Sequence, residues 1–283
     1  MRKKITNFID RLFARPKPNR NWDPIVIYQM GKVGSLTIRS SLEELFRSLS
    51  LKIPMYHAHN LNNLESLEAT IRTKWPNPAE ALPQMKLDAE LRMKIDSDSN
   101  QKWNVISLTR DPVARNISTL FQMLNIFFPD WESKYDQGKL SLDELQDFFV
   151  NKFSGGAAPA IWFDQQMKPV FDIDVYAYDF RHWQGYEIYP CKNNGKLLLL
   201  RLEDLDRVAQ QAMKEFLKIE NFRLIKSNMG MEKQYATLYH DFKKIPLPTA
   251  YLEKMYGTKY TKHFYTNQEI EKFYERWAYP DKK

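Results

Sequence analysis

The chain has 283 residues, 43% of them hydrophobic, enough to fill the core of one large α/β domain. A formal net charge of +7 favours anionic partners, and the lack of a phosphate-tracking Lys/Arg run or a nucleic-acid motif argues against nucleic acid. A single cysteine, Cys191, excludes an intrachain disulfide and a CxxC metal cluster; with no apolar run near ~18 residues and no apolar leader, the expectation is a cytoplasmic protein.

Residues 1–13 place Ile5, Phe8, Ile9, Leu12 and Phe13 at helical spacing beside Arg2, Lys3, Lys4 and Arg11. Such a basic amphipathic helix suits peripheral contact with an anionic membrane face, or docking on its own domain. Residues 14–21, with Pro16 and Pro18, read as a linker, which divides the chain into a segment 1–21 and an α/β domain 22–283.

Residues 25–37 carry the densest chemistry. A β-branched run feeds Gly31-Lys32-Val33-Gly34-Ser35-Leu36-Thr37, which opens an amphipathic helix with Ile38, Leu42, Leu45, Phe46 and Leu49 on one face. Strand, glycine turn and helix N-terminus together place bare N–H groups around an anion. Gly31 and Gly34 permit positive φ and close backbone approach, Lys32 supplies a point charge, and Ser35 and Thr37 supply hydroxyls. A turn merely eased by glycine, with Lys32 solvated, is the alternative; the coincidence of all these groups weighs against it. The lysine precedes the second glycine, so this is not a Walker A loop.

Residues 53–59 read as a short strand ending in His57 and His59, of which one is expected to face a site and the other to pack. No third ligand lies nearby, so a metal is not expected. Asn62 and Glu65 read as a capping box for a helix to Trp75, stopped by Pro76 and Pro78, and residues 79–95 as a second helix. Residues 103–109 form the next strand, after which Asp111 is a good N-cap and Pro112 suits the first helical position. Arg110 then sits at a strand end and Ser118 two turns into the helix, with Arg115 on the same face. Arg110 and Ser118 can grip one phosphate from two sides.

Further on, the pattern predicts a helix continuing to Phe128, a helix over 141–153 broken at Gly155-Gly156, and a helix over 161–168. It also predicts a strand over 174–180 and a hairpin pair, 186–189 and 196–202, joined through Asn193-Asn194-Gly195. Leu197 to Leu200 suit a buried central strand, and residues 201–205 open a helix. The last third is helical and aromatic-rich, with Thr266 and Glu269 capping the final helix. Lys259, Lys262 and His263 are candidates for binding nucleotide or acidic substrate, or form a solvated basic face.

Arg-Asp-Pro-x-x-Arg-x-x-Ser after a strand resembles the 3′-phosphate motif of sulfotransferases that use 3′-phosphoadenosine 5′-phosphosulfate (PAPS). Residues 31–37 resemble the 5′-phosphosulfate loop of the same superfamily, with Leu36 where that family has Ser or Thr. Met55-Tyr56-His57-Ala58-His59 is similar to the histidine segment of uronyl 2-O-sulfotransferases. Trp162-Phe163-Asp164, Asp174-Val175-Tyr176 and His263-Phe264-Tyr265 resemble a bacterial group of capsular polysaccharide synthesis proteins. The resemblance spans residues 24 to 277. It implies a P-loop-like parallel sheet flanked by helices on both faces, with additional C-terminal helices building an acceptor cleft. It also implies sulfuryl transfer from PAPS to a hydroxyl acceptor, a saccharide or glycolipid. Gly31, Lys32, Val33, Gly34, Ser35, Leu36, Thr37, Arg110 and Ser118 would bind PAPS. Lys32 would be catalytic, His59 the base by its match to the second histidine, and Asp164 the reserve base, with no metal required. The alternatives are a P-loop-like kinase, which needs a Mg²⁺-binding carboxylate, and a non-catalytic nucleotide or polyanion-binding module.

Overall fold

Ile25–Tyr28 forms strand β1, and all four of its residues are buried. Side chains alternate faces along a strand, so burial at every position means cover on both faces of the sheet. The computed structural model describes residues 22–75, 77–225 and 234–280; the basic segment and linker of residues 1–21 lie outside the described residues. Strands β2 (Met55–Ala58), β3 (Asn104–Thr109), β4 (Tyr186–Cys191) and β5 (Gly195–Arg201) complete a sheet of order β2-β1-β3-β5-β4. The first four of these in space run parallel, in the registers Ile25 to Met55, Ile25 to Asn104 and Asn104 to Lys196. Only β4 runs antiparallel, because the turn Lys192–Asn194 is too short for a crossover. The expected hairpin is therefore present, and it makes the sheet mixed at one edge. Leu197 to Leu200 are fully buried in β5, as their composition predicts.

The chain leaves β1 toward β2 and returns on the opposite side of β1 to form β3, so the carboxyl ends of β1 and β3 flank the topological switch point. Helix α1 (Ser35–Ser48) follows β1 and buries Ile38, Leu42, Leu45 and Phe46. Helices α2 (Leu64–Lys74) and α3 (Pro78–Ser97) connect β2 to β3. The Asn62–Glu65 box does not form: α2 starts after Asn63, and Asn62 Nδ2 donates instead to the Gln165 carbonyl at 2.9 Å. A long-range hydrogen bond has taken the side chain that a local cap would use.

Helix α4 (Pro112–Gln122) ends earlier than expected, since the chain bends at Met123 before the short α5 (Leu124–Phe127). Then come α6 (Trp131–Asp136) and α7 (Leu142–Asp147), capped by Ser141 and extended by a π turn over Phe148–Lys152. Helices α8 (Ala158–Trp162) and α9 (Lys168–Phe171) are joined by a second π turn. Residues 174–180 are not a strand. Asp174 accepts from the Tyr176 N–H at 3.0 Å and starts a 3-10 turn, Val175–Ala177, so the local Asx bond overrides the alternating pattern. Helices α10 (Leu205–Leu217), α11 (Ala236–Phe242), α12 (Thr249–Tyr256), α13 (Lys259–Phe264) and α14 (Asn267–Ala278) follow, the last opened by the expected Thr266–Glu269 capping box.

Two apolar cores result, one around the sheet and one where Val113, Ile117, Leu120 and Phe121 of α4 meet Leu238, Phe242, Leu252 and Trp277. Asp111 joins them. Its carboxylate caps α4 through the Val113 N–H at 3.0 Å and accepts from Tyr256 Oη at 3.1 Å and Trp277 Nε1 at 2.9 Å. Arg201, buried at the end of β5, donates to the Phe264 carbonyl at 3.2 Å and to Glu269 at 2.9 Å, fastening α13 and α14 to the sheet. Asp111→Ala removes a cap and strands two buried donors, so it should destabilise the fold by about 3 kcal/mol in urea titration. A loss under about 1 kcal/mol would show that solvent replaces the carboxylate.

Candidate active site at the carboxyl ends of the parallel strands

The switch point opens into a cleft of about 630 Å³ whose walls come from the ends of β1, β2, β3 and β5, the start of α1, and helices α4 and α11. Gly31, Lys32, Gly34, Ser35, Leu36, Thr37, His59, Arg110 and Ser118, all singled out from sequence, line it together. Val33 does not: it is fully buried, and its side chain anchors the loop in the core.

Gly34 uses the freedom glycine permits and adopts φ 90°; the loop's other left-handed residue is Lys32, at φ 72°. Gly31 lines the cleft, and a Cβ there would meet nothing within 4 Å, so its bareness leaves room in the cavity. At Gly34 a Cβ would lie 2.5 Å from Leu202 Cδ1, so glycine is needed there for both φ and space. Two arginines hold the turn from behind. Arg115 Nε donates to the Gly31 carbonyl at 3.0 Å, and Arg110 Nη1 donates to the Lys32 carbonyl at 2.9 Å. Those carbonyls are drawn toward the start of α4; in the first turn of α1 the Thr37 N–H is bonded to the Gly34 carbonyl at 3.2 Å, and Ser35, Leu36 and Thr37 line the cleft. Arg115 is buried and also donates to the Gly155 carbonyl at 2.8 Å, so it is a structural clamp and not a second phosphate ligand beside Ser118.

Both histidines line the cleft, against the expectation that only one would. His57 is the last-but-one residue of β2 and His59 stands two positions on, and side chains two apart along an extended chain share a face, so the alternation itself brings both rings to the cleft. Their centroids are 4.8 Å apart, edge to face. His57 Nε2 lies 3.1 Å from Ser35 Oγ, and His59 Nδ1 lies 2.9 Å from the Gln29 carbonyl. Trp162 Nε1 donates to the His59 carbonyl at 3.0 Å and fixes its backbone. Desolvation pushes the His57 imidazole down to about 4, helped by its neighbour His59. Burial also lowers His59, and Arg115 and Lys32 add to that. Both rings are neutral at neutral pH, the state a proton acceptor requires.

Behind the end of β3, outside the cleft, the Tyr260 hydroxyl bridges the Arg110 backbone, accepting from its N–H at 2.9 Å and donating to its carbonyl at 2.8 Å. Glu203 accepts from the Asp111 N–H at 2.7 Å and from Tyr265 Oη at 3.1 Å. Beyond Ser118 the wall continues through Gln122 to Tyr235 and Tyr239, which sequence reasoning missed, as it missed Leu202. Gln122 is one helical turn past Ser118, and that spacing could have revealed it. Asp164 is exposed and lies outside the residues lining the cleft, although Trp162 two positions earlier touches His59. Lys259 and Lys262 are exposed outside it too, with Lys259 Nζ 3.9 Å above the Tyr176 ring. Among the described residues, no group of three or more His, Cys, Asp or Glu side chains is arranged to hold a metal ion, and no helix is long and apolar enough to cross a membrane.

A family model described as "Putative capsular polysaccharide synthesis protein" matches residues 134–266. No curated protein and no solved structure matches the chain. The matched span holds Leu202, Tyr235 and Tyr239 of the cleft, while the glycine loop, the histidines and the Arg110–Ser118 segment precede it.

Arg115→Met should lower stability by about 2–4 kcal/mol, because it leaves the Gly31 and Gly155 carbonyls without their charged donor. The His57 shift predicts a pH effect as well. Between about 6.5 and about 4 the unfolded histidine binds a proton that the folded one refuses, so stability is full above that window and falls as pH drops through it. The contribution is on the order of 3 kcal/mol. Asp88, raised by burial to about 6, acts in the opposite sense over part of that range, so the difference between wild type and His57→Gln is the quantity to measure. Identical pH–stability curves for the two proteins would contradict the assignment.

Proposed function

We propose that the protein is a sulfotransferase that moves a sulfuryl group from PAPS to a hydroxyl of a saccharide. The observation that carries this reading is the placement of two candidate anion-binding elements in one cleft, with neutral imidazoles beside the first. The N-terminus of α1 with Lys32 makes one, and Arg110 with Ser118 makes the other. A nucleotide with phosphates on both its 5′ and 3′ carbons presents two such anions. The described residues lining the cleft carry lysine, arginine, histidine and hydroxyl groups; a kinase would add a carboxylate to hold Mg²⁺, and none is among them. The family description matched over residues 134–266 supports a saccharide acceptor.

PAPS supplies an activated sulfuryl group whose leaving group is a phosphate. Gly31, Gly34, Ser35, Leu36 and Thr37 would hold that end against the start of α1, and Arg110 and Ser118 would hold the 3′-phosphate and so fix the register. His59 takes the proton of the acceptor hydroxyl as its oxygen bonds to sulfur. Lys32 meets the electron pair left on the departing phosphate oxygen.

The desulfated product, 3′-phosphoadenosine 5′-phosphate, should raise the melting temperature with or without EDTA, by the equivalent of about 2.7 kcal/mol at a hundredfold excess over Kd. ADP should do much less, and Arg110→Ala should erase most of the difference. A larger effect of ATP with Mg²⁺ would overturn the reading. With labelled PAPS and a panel of saccharides, Lys32→Ala should cut kcat by at least about 10²-fold while product affinity changes little. A loss confined to binding would reduce Lys32 to an anchor.

A further inference from the structure

We infer that Gln29 is the positioning residue that divides the labour of the two histidines, committing His57 to Ser35 and leaving His59 as the free base. This rests on the reading of His59 as the proton acceptor. Gln29 follows β1, a run of Ile, Val, Ile and Tyr, and is itself fully buried. An amide in such a place is costly unless it is hydrogen-bonded. Its Nε2 donates to Ser35 Oγ at 2.8 Å and lies 3.1 Å from His59 Nδ1 and 3.4 Å from His57 Nε2. Its backbone oxygen is 2.9 Å from the same His59 Nδ1. One residue thus touches both imidazoles and the serine at the start of α1.

The donor and acceptor roles follow from these contacts. A carbonyl can only accept, so His59 Nδ1 carries its ring proton and the lone pair resides on Nε2. With the His57 ring proton on Nδ1, Ser35 Oγ accepts from Gln29 and gives its own O–H to His57 Nε2 at 3.1 Å. The basic nitrogen of His57 is therefore engaged, and that of His59 is not. Gln29 Oε1 is buried without a hydrogen-bond partner among the described residues. With Nδ1 protonated, the Gln29 NH2 at 3.1 Å faces a second donor, and a half-turn of the amide brings Oε1 to that N–H instead, a contact that serves the neutral ring and the imidazolium alike.

The test uses the full chain with ¹⁵N-labelled histidine, read by NMR titration, in wild type, Gln29→Leu and the isosteric Gln29→Glu. In wild type His59 should show one tautomer, protonated at Nδ1, and His57 another signal with Nε2 unprotonated. Gln29→Leu should mix the tautomers. Gln29→Glu should raise both titration midpoints, since a carboxylate beside the rings favours their charged forms. Where labelled PAPS and an acceptor give turnover, Gln29→Leu should lower kcat about 10–100-fold at unchanged KM for PAPS, and Gln29→Glu should move the acid limb of the pH–rate profile to higher pH. Unchanged histidine spectra in a folded Gln29→Glu variant would overturn the inference. Altered spectra in a protein that never transfers sulfate would uphold the positioning role while removing the sulfotransferase reading.

Discussion

The cleft depends on one interaction more than any other, the grip of two guanidinium groups on consecutive carbonyls of the glycine turn. Arg115 and Arg110 take the Gly31 and Lys32 oxygens. A left-handed lysine is unfavourable on its own, by roughly 1 kcal/mol or more. It persists because the carbonyl that this conformation turns outward is met by a charged donor. Burial lowers the Arg115 guanidinium to about 10, still far above neutrality, so the clamp stays charged. The same two bonds tie the turn after β1 to the start of α4 and so set the spacing between the loop and the Arg110–Ser118 segment.

Behind that grip stands a layer of aromatic hydroxyls and carboxylates from the C-terminal helices. Tyr260 holds the Arg110 backbone, Glu203, itself held by the Tyr265 hydroxyl, accepts from the Asp111 N–H, and Tyr256 and Trp277 hold the Asp111 carboxylate. Burial raises the Glu203 carboxyl despite these donors, and the Asp111 carboxyl likewise. None of these groups reaches the cleft, yet each fixes a neighbour of a residue that does. The aromatic richness of the last third of the chain, which offers no motif, has its explanation here.

What could be read from the sequence was whatever the chemistry keeps local. The glycine loop, the Asp111–Pro112 helix start, the buried run of β5 and the Thr266–Glu269 box are contiguous, and each took its expected form. What could not be read was set by distant partners. Asn62 was expected to cap a helix and instead reaches Gln165, and residues 174–180 were expected to alternate and instead turn on Asp174. Gln29 lay in plain view as a polar residue closing an apolar strand, but its meaning requires His57, His59 and Ser35 in place around it. Tyr235 and Tyr239 reach the cleft only through packing against Phe121, which no local spacing announces.

The bond between the Arg110 amide and the Tyr260 hydroxyl spans 150 residues, and that between Asp111 and Trp277 spans 166. Contacts so far apart in sequence close late, because the loop entropy must be overcome before they reward the chain. A folding chain can pair β1 with β2 and β3 and form the glycine turn well before α13 and α14 exist to brace the opposite wall. Such an intermediate would hold a phosphate at one end only, and its exposed second core would make it prone to association. On the function proposed above, binding of a doubly phosphorylated nucleotide would mark the last step of assembly, and that ligand present during folding would draw the chain through it.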